Sequence, residues 1–313
     1  MPLSTEDLLA ELDTVTSIPV LPFRDGGVDY DGHAKNIEYL MANNGLDGGR
    51  RRIVGIAGTS LVHHIGLAEQ AKVMQETGRQ MAGRGVFVAG VVPNPIPDAE
   101  AHIRALAALE HAPDAYLVMP LTGVADPEGL YGYYMEMAER LGRDCGARFL
   151  YYLRQTRERD IAVRLVNDSP HFVGIKIGTS EDDAGPIVAG VEEGRGVVMW
   201  GIGDRSTGAA EKGTKGHTSG INVVFAKASD AINNAQRRGD WAESRRVEAK
   251  IDALEDIRFR NGRAFNYSAV VEAMLIGGFD DIVGGEGAPF NPRVPAAVAA
   301  EVEAAIADLA EYH

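Results

Sequence analysis

Lys176 is the residue whose surroundings most directly suggest chemistry. It lies within residues 172–178 (FVGIKIG), where every neighbour is apolar or glycine. An isolated ammonium group in a buried strand carries a large desolvation cost, so its pKa is expected to fall and free amine to be present near neutral pH. Because a free amine attacks carbonyl groups, this segment indicates Schiff-base chemistry.

Two structural roles for Lys176 remain open from this segment alone. Its long side chain can reach solvent from the strand end, or the ammonium can pair with a buried carboxylate. A second strand-like run, residues 148–153 (RFLYYL), carries Tyr151 and favours a catalytic role for Lys176. The ends of consecutive strands lie side by side in a parallel barrel, so the Tyr151 hydroxyl and the Lys176 amine are expected to converge on one carbonyl. If Tyr152 has that role instead, the strand register is wrong by one residue, because successive side chains point to opposite faces.

Short apolar runs alternate with longer helical patterns and predict the elements that hold these residues. Eight strands are predicted, at residues 16–22, 52–57, 85–92, 115–119, 148–153, 171–177, 196–202 and 217–224. Helical patterns between them cover 30–43, 67–82, 98–111, 127–144, 161–168, 182–192 and 205–212. Eight such pairs close a (β/α)8 TIM barrel, which we assign to residues 1–225.

After residue 225 only helical patterns follow, at 228–239, 241–259, 266–277 and 293–312. They predict a C-terminal helical extension, residues 226–313, that packs on the barrel and on a neighbouring subunit. Its apolar residues exceed what one barrel needs, which favours a homo-oligomer, a dimer or tetramer. The residues on which this expectation depends are Val270, Val271, Met274, Leu275 and Ile276.

Composition excludes several classes of protein. The formal net charge of −14 argues against a nucleic-acid partner, and the only dense basic run, residues 50–52, is expected to be a solvated loop. Cys145 is the single cysteine, which excludes an intrachain disulfide framework and a multi-thiolate metal site. The chain has no long apolar run and no signal-like N-terminus, so we expect a cytoplasmic protein without a membrane partner.

Four blocks of the chain resemble the dihydrodipicolinate synthase and N-acetylneuraminate lyase superfamily. These are residues 19–23 (PVLPF), 55–59 (GIAGT), 149–152 (FLYY) and 173–176 (VGIK). The resemblance covers nearly the whole chain. It implies a TIM barrel in which the lysine on strand six forms an imine with pyruvate or another 2-oxo acid, without a metal or other cofactor. It also implies that Lys176 is that lysine and that Tyr151 relays protons.

The segment from Gly55 to Thr59 departs from the family pattern. Members usually have two hydroxyl residues that help to hold the substrate carboxylate, whereas this chain has Ile56 and Ala57. Glycine-rich turns expose consecutive backbone amides, so the amides of Ile56, Ala57 and Gly58 are expected to bind the carboxylate, with Thr59 or Ser60 supplying a displaced hydroxyl.

Two loops also depart from the pattern of the synthases. Residues 120–125 (PLTGVA) lack the tyrosine that those enzymes present to a partner subunit, which argues against dihydrodipicolinate synthesis. After Tyr151 the family often has Asn and Pro, whereas this chain continues with residues 152–157 (YLRQTR), which include Arg154 and Arg157. Either arginine could pair with a distal substrate carboxylate, or both could lie on a solvated loop.

Other candidates lie at the ends of the last two strands. Gly201 and the pair Ser219 and Gly220 are expected to line the pocket, the last two mainly through their backbone. The adjacent residues His63 and His64 have no further ligand at metal spacing, so no metal site is predicted.

Two hypotheses follow. The first is a Schiff-base lyase that acts on a 2-oxo acid, either as an aldolase or as a dehydratase of a 3-deoxy-2-oxo sugar acid; the sequence does not separate the two. The second is a catalytically weak or regulatory barrel that binds a small oxo acid without turnover. The lost hydroxyls favour the second, whereas Lys176 and Tyr151 favour the first.

Overall fold

Eight parallel strands close into a barrel in the computed structural model, which describes residues 3–313. In chain order the strands are β1 (Val15–Ser17), β2 (Phe23–Arg24), β3 (Gly27–Val28), β4 (Ile53–Ile56), β5 (Val86–Val91), β6 (Ala115–Val118), β7 (Phe149–Leu153), β8 (Phe172–Ile177), β9 (Val197–Trp200) and β10 (His217–Ser219). β2 and β3 form a separate hairpin, and the barrel order is β1-β10-β9-β8-β7-β6-β5-β4. All eight predicted barrel strands are confirmed, whereas the hairpin was not predicted.

Helices connect and cover these strands. They are α1 (Thr5–Leu12), α2 (Tyr30–Ala42), α3 (Leu67–Met81), α4 (Ile96–Ala107), α5 (Pro127–Cys145), α6 (Arg159–Asp168), α7 (Ala184–Gly190), α8 (Thr207–Glu211), α9 (Ala226–Arg237), α10 (Trp241–Arg263), α11 (Ser268–Ile276) and α12 (Ala296–Ile306). Only α1 was not predicted. Ser4 caps it by accepting a hydrogen bond from the Asp7 amide, and Leu8 and Leu12 are buried. The predicted (β/α)8 barrel with a C-terminal helical extension is therefore confirmed.

The C-terminal helical extension packs closely on the barrel. One continuous cluster of buried apolar side chains includes residues of both parts. The hydroxyl of Tyr267 donates a hydrogen bond to the carbonyl of Leu21, at 2.8 Å, beyond the end of β1. These contacts place the loops of the extension beside the carboxyl ends of the barrel strands, where a TIM barrel carries its active site.

The expectation that residues 50–52 form a solvated loop is wrong for Arg52. Its side chain is fully buried, and it makes two hydrogen bonds to the Asp230 carboxylate, at 2.5 and 2.7 Å. Asp230 lies on α9, so this ion pair ties the barrel to the extension. Arg50 also reaches α9, through Asn233 and Asn234.

The apolar residues of α11 do not form the surplus surface that was expected. Val270, Val271 and Met274 are buried within this chain, whereas Leu275 is 40% exposed. The other large apolar side chains with substantial exposure among the described residues are Leu67, Val124 and Phe290. In the stretch from residue 3 to residue 313, no helix has the length and apolar character needed to cross a bilayer.

Candidate active site

Lys176 lies inside the barrel, near the carboxyl end of β8. Its side chain is 5% exposed, and within residues 3–313 no carboxylate lies within 4.0 Å of its amine. Burial lowers the pKa of Lys176. Neither structural role left open by the sequence fits this environment, because the side chain is buried and has no carboxylate partner among the described residues.

Lys176 pairs in register with Tyr152 on β7 and with Met199 on β9, so the three side chains share a face of the sheet. The Lys176 Nζ atom lies 3.8 Å from the centroid of the Tyr152 ring. Immediately after β9, a Cβ atom at Gly201 would lie 2.7 Å from the Lys176 Cγ atom and 2.3 Å from the Ile177 carbonyl oxygen. Glycine at position 201 therefore gives the lysine side chain its space.

The expectation that the Tyr151 hydroxyl meets the Lys176 amine is wrong. Tyr151 points to the opposite face of β7, where its hydroxyl donates a hydrogen bond to Glu158, at 3.0 Å, and its ring contacts Tyr134 of the outer helix α5. Burial, followed by the negative charge of Glu158, raises the pKa of Tyr151. Tyr152 is the tyrosine that lies beside the amine. This is the alternative that the sequence left open, in which the strand register differs by one residue.

The hydroxyl of Tyr152 lies in a strongly positive environment. Burial alone would raise its pKa, but the charges of Lys176, Arg154 and Arg263 outweigh burial and lower the pKa of Tyr152 from 10.0 to about 8. Arg154 also donates a hydrogen bond to this hydroxyl, at 3.4 Å. A phenol with this pKa can both give and take a proton near neutral pH.

The structure separates the two candidate arginines. Arg154 is half-buried and contacts Tyr152. Arg157 is exposed, in the short 3₁₀ turn Thr156–Glu158, and its charge acts on Tyr151 rather than on Tyr152. Only Arg154 therefore belongs to the group of side chains around Lys176.

The turn after β4 keeps a glycine but does not offer the expected free hydroxyls. Ile56 and Ala57 bury their side chains in the core. Thr59 donates to the Ile18 carbonyl, at 3.1 Å, and Ser60 donates to the Pro19 carbonyl, at 2.6 Å, so both hydroxyls fasten the turn to the end of β1. A Cβ atom at Gly58 would meet nothing within 4 Å, which leaves open space beside the backbone of the turn.

The residues at the end of β10 contact buried polar groups rather than offering free side chains to the site. The Ser219 hydroxyl donates to the buried Asp204 carboxylate, at 2.7 Å, and so is engaged in a buried network. A Cβ atom at Gly220 would lie 2.2 Å from the Nη2 atom of Arg258, which pairs with the buried Glu255. Burial raises the pKa of Glu255, against the opposing effect of the Arg258 charge.

Arg263 is the site residue that the sequence analysis missed. It ends α10, after Arg260, Asn261 and Gly262 leave helical geometry. Its guanidinium lies 3.5 Å from the Gly178 carbonyl oxygen. The Asn-Gly pair at 261–262, a turn signal between the predicted helices 241–259 and 266–277, marked the break, but the direction of the Arg263 side chain follows from the backbone after that break. In residues 3–313 no group of three or more His, Cys, Asp or Glu side chains is placed to hold a metal ion.

Comparisons with known proteins agree with this fold. The model of the Dihydrodipicolinate synthetase family matches residues 11–284. The 4-hydroxy-tetrahydrodipicolinate synthase of Psychrobacter sp. (strain PRwf-1) is 25% identical over 238 residues, which cover 75% of this chain and 76% of that protein.

Two solved structures share the fold along almost the whole chain. The dihydrodipicolinate synthase of Oceanobacillus iheyensis superposes with a TM-score of 0.84 at 20% identity, covering 97% of this chain and 98% of the other. The dihydrodipicolinate synthase of Bacillus clausii gives 0.84 at 22% identity, covering 96% and 98%. With a family match over most of its length, the chain belongs to the Dihydrodipicolinate synthetase family.

Proposed function

We propose that this protein is a lyase that forms a Schiff base between Lys176 and a 2-oxo acid. The observation that carries the proposal is the buried Lys176 amine, which has no carboxylate partner among the described residues and lies against the Tyr152 ring. A structural lysine in this position would need a counter-charge to offset its desolvation. An amine that reacts with carbonyls needs the neutral form that burial favours.

In the proposed mechanism the neutral Lys176 amine attacks the C2 carbonyl carbon of the substrate. The resulting carbinolamine loses water and becomes a protonated imine. The imine nitrogen then accepts the electron pair of a bond that breaks at C3, the carbon next to the imine carbon. In an aldolase this is a carbon–carbon bond. In a dehydratase it is a carbon–hydrogen bond, and loss of water follows.

Tyr152, rather than Tyr151, is proposed to move the protons. Carbinolamine dehydration needs a proton for the departing hydroxyl, and the next step needs a group that accepts or returns a proton at the substrate. While Lys176 is protonated, its charge and those of Arg154 and Arg263 lower the pKa of Tyr152 to about 8, so the phenolate can take the proton that the amine must lose and return it to the carbinolamine hydroxyl. Tyr151 cannot exchange roles with it without a change of strand register.

Synthesis of dihydrodipicolinate, the activity in the names of the relatives, is not proposed. The loop at residues 120–125 has no tyrosine to offer a partner subunit, and Val124 there is fully exposed. The Thr59 and Ser60 hydroxyls are bound to backbone carbonyls, which leaves backbone amides of the turn as the proposed contacts for the substrate carboxylate.

The function is tested by incubating the protein with a panel of 2-oxo acids and 3-deoxy-2-oxo sugar acids, then following pyruvate release and water loss separately. Pyruvate release supports an aldolase, and loss of water without cleavage supports a dehydratase. An imine that can be trapped without either product would support the non-catalytic alternative. Rapid condensation of pyruvate with aspartate semialdehyde would contradict the exclusion of dihydrodipicolinate synthesis.

The protein is also proposed to act as a homo-oligomer, on the basis of its family and its exposed apolar side chains. Val124 and Phe290 are exposed in the single chain, and a partner subunit that packed on these loops would cover them. Light scattering at micromolar concentration is expected to give a dimer or tetramer.

A further inference from the structure

Two guanidinium groups at the mouth of the site have no carboxylate partner. The chain has a net charge of −14, and most of its arginines lie within 4.0 Å of an Asp or Glu oxygen. Among residues 3–313, Arg154 and Arg263 have no such oxygen within that distance, although both are half-buried. Half-buried cations that lie close together repel each other unless an anion joins them.

Gly178 brings these two arginines to the same place. Arg263 reaches the Gly178 carbonyl oxygen at 3.5 Å. A Cβ atom at Gly178 would lie 2.9 Å from the Arg154 Cδ atom and 2.4 Å from the Tyr152 Cε2 atom. The glycine therefore lets the Arg154 side chain and the Tyr152 ring pack against the backbone that Arg263 contacts.

The backbone of Arg263 is strained. Its φ angle is 75°, in the left-handed region, and Asn261 before it has φ 51°. Non-glycine residues rarely adopt this region, and such strain concentrates at functional sites, where the surrounding structure maintains it. A glycine at position 263 would adopt the same backbone at lower cost, yet the chain has an arginine whose guanidinium faces the site.

We propose that Arg154 and Arg263 form a second anion site, which binds the distal carboxylate of a 2-oxo diacid whose carbonyl group reacts with Lys176. The inference rests on the proposed function and narrows its substrate class. The reacting amine and one of the two guanidinium groups lie near one ring, since the Tyr152 centroid is 3.8 Å from the Lys176 Nζ atom and 5.6 Å from the Arg154 Cζ atom. A short carbon chain can therefore span the distance from the carbonyl to the distal carboxylate.

The test compares 2-oxoglutarate with 2-oxopentanoate, which has the same chain length and a terminal methyl group in place of the carboxylate. Binding of each compound to the full-length protein is measured by titration calorimetry. The diacid is expected to bind about 10- to 100-fold more tightly, the range for charge-assisted hydrogen bonds. Borohydride trapping with pyruvate, measured separately, reports whether the imine forms and so tests the proposed function independently.

Two substitutions should remove the preference for the diacid, Arg154→Gln and Arg263→Gly. Because glycine relieves the left-handed strain, the second variant should fold at least as stably as the wild type. Asn261→Gly is the matched control, since it relieves strain in the same turn but keeps both guanidinium groups. Arg157→Gln is the control for the loop after β7.

Loss of the preference in both arginine variants, with both controls unchanged, would support the second anion site. Equal binding of diacid and monoacid by the wild type would overturn it, as would a preference that survives in Arg263→Gly or disappears in Arg157→Gln. A failed imine trap together with a diacid preference that depends on Arg263 would leave the anion site supported and the Schiff-base function rejected.

Discussion

The ring of Tyr152 lies 3.8 Å from the Lys176 amine, measured from the ring centroid, whereas the neighbouring Tyr151 bonds to Glu158 on the opposite face of β7. The two tyrosines are adjacent in sequence but have different environments. A pair of tyrosine variants can therefore separate chemistry from structure.

Tyr152→Phe is expected to lower turnover by roughly 10²-fold or more, because it removes the proposed proton carrier while leaving the ring beside Lys176. Tyr151→Phe removes the hydrogen bond to Glu158, so it should reduce the free energy of unfolding by about 1–2 kcal/mol with a small effect on turnover. Steady-state kinetics and urea denaturation measure these effects. The opposite pattern, with Tyr151→Phe the more damaging to turnover, would contradict the role given to Tyr152.

A spectroscopic titration should show one tyrosine that ionises at unusually low pH. Positive neighbours favour the phenolate, so Tyr152 should titrate at about 8 rather than 10.0, and this step should be absent in Tyr152→Phe but present in Tyr151→Phe. Replacing Arg154 or Arg263 with glutamine should move the step to higher pH. Tyrosinate absorbance measures this ionisation step, and a wild-type protein with no tyrosine ionising below pH 9.5 would contradict the lowered pKa of Tyr152.

The same shift has a consequence for stability. Because the pKa of Tyr152 is lower in the folded protein than its value of 10.0 in the unfolded chain, its contribution to stability is complete above pH 10. That contribution decreases as the pH falls, and it is lost below about 8. Comparing the free energy of unfolding of Tyr152→Phe with that of the wild type between about pH 8 and pH 10 should reveal this contribution.

Gly201→Ala is expected to disturb the lysine directly. The new methyl group would lie 2.3 Å from the Ile177 carbonyl oxygen and 2.7 Å from the Lys176 Cγ atom, so the strands must shift. A cost of about 1–3 kcal/mol in unfolding free energy and slower imine formation should follow. Gly185→Ala, where the methyl group meets nothing within 4 Å, is the control and should be neutral or stabilising. Equal effects of the two substitutions would contradict the close packing at Gly201.

The buried pair of Arg52 and Asp230 should dominate the stability of the contact between barrel and extension. Arg52→Met leaves the Asp230 carboxylate buried without its partner, which typically costs about 3–5 kcal/mol. Arg84→Met breaks an exposed pair with Glu38 and should cost less than about 1 kcal/mol. Urea denaturation compares the two, and similarly small losses would contradict the dominant role of the Arg52 and Asp230 pair in this contact.

The sequence was sufficient to predict the barrel, because apolar runs of strand length alternate with helical patterns along most of the chain. It could not assign the two tyrosines. Both faces of a parallel barrel strand are buried, so hydrophobic alternation does not distinguish the side that faces Lys176 from the side that faces the helices. The contacts of Tyr151 with Tyr134 and Glu158 decide this, and they depend on tertiary packing.

The two arginines that were misjudged or missed depend on residues far away in the chain. Arg52 lies in a basic run that looks solvated, and its partner Asp230 is 178 positions later. Arg263 faces the site only because the backbone of α10 breaks immediately before it. Lys176, in contrast, was identifiable from its immediate neighbours, because an ionisable group within an apolar strand is conspicuous in the sequence itself.

The measurement that most directly tests the central claim is borohydride trapping with pyruvate, followed by peptide mass mapping of the modified residue. A single adduct on Lys176 is expected at near-neutral pH, because burial lowers the pKa of this amine. Lys176→Met should abolish the adduct, whereas Lys212→Met, which removes an exposed lysine paired with Glu181, should not. An adduct on another lysine with Lys176 unmodified, or no adduct with any 2-oxo acid, would contradict the assignment of Lys176 as the imine-forming residue.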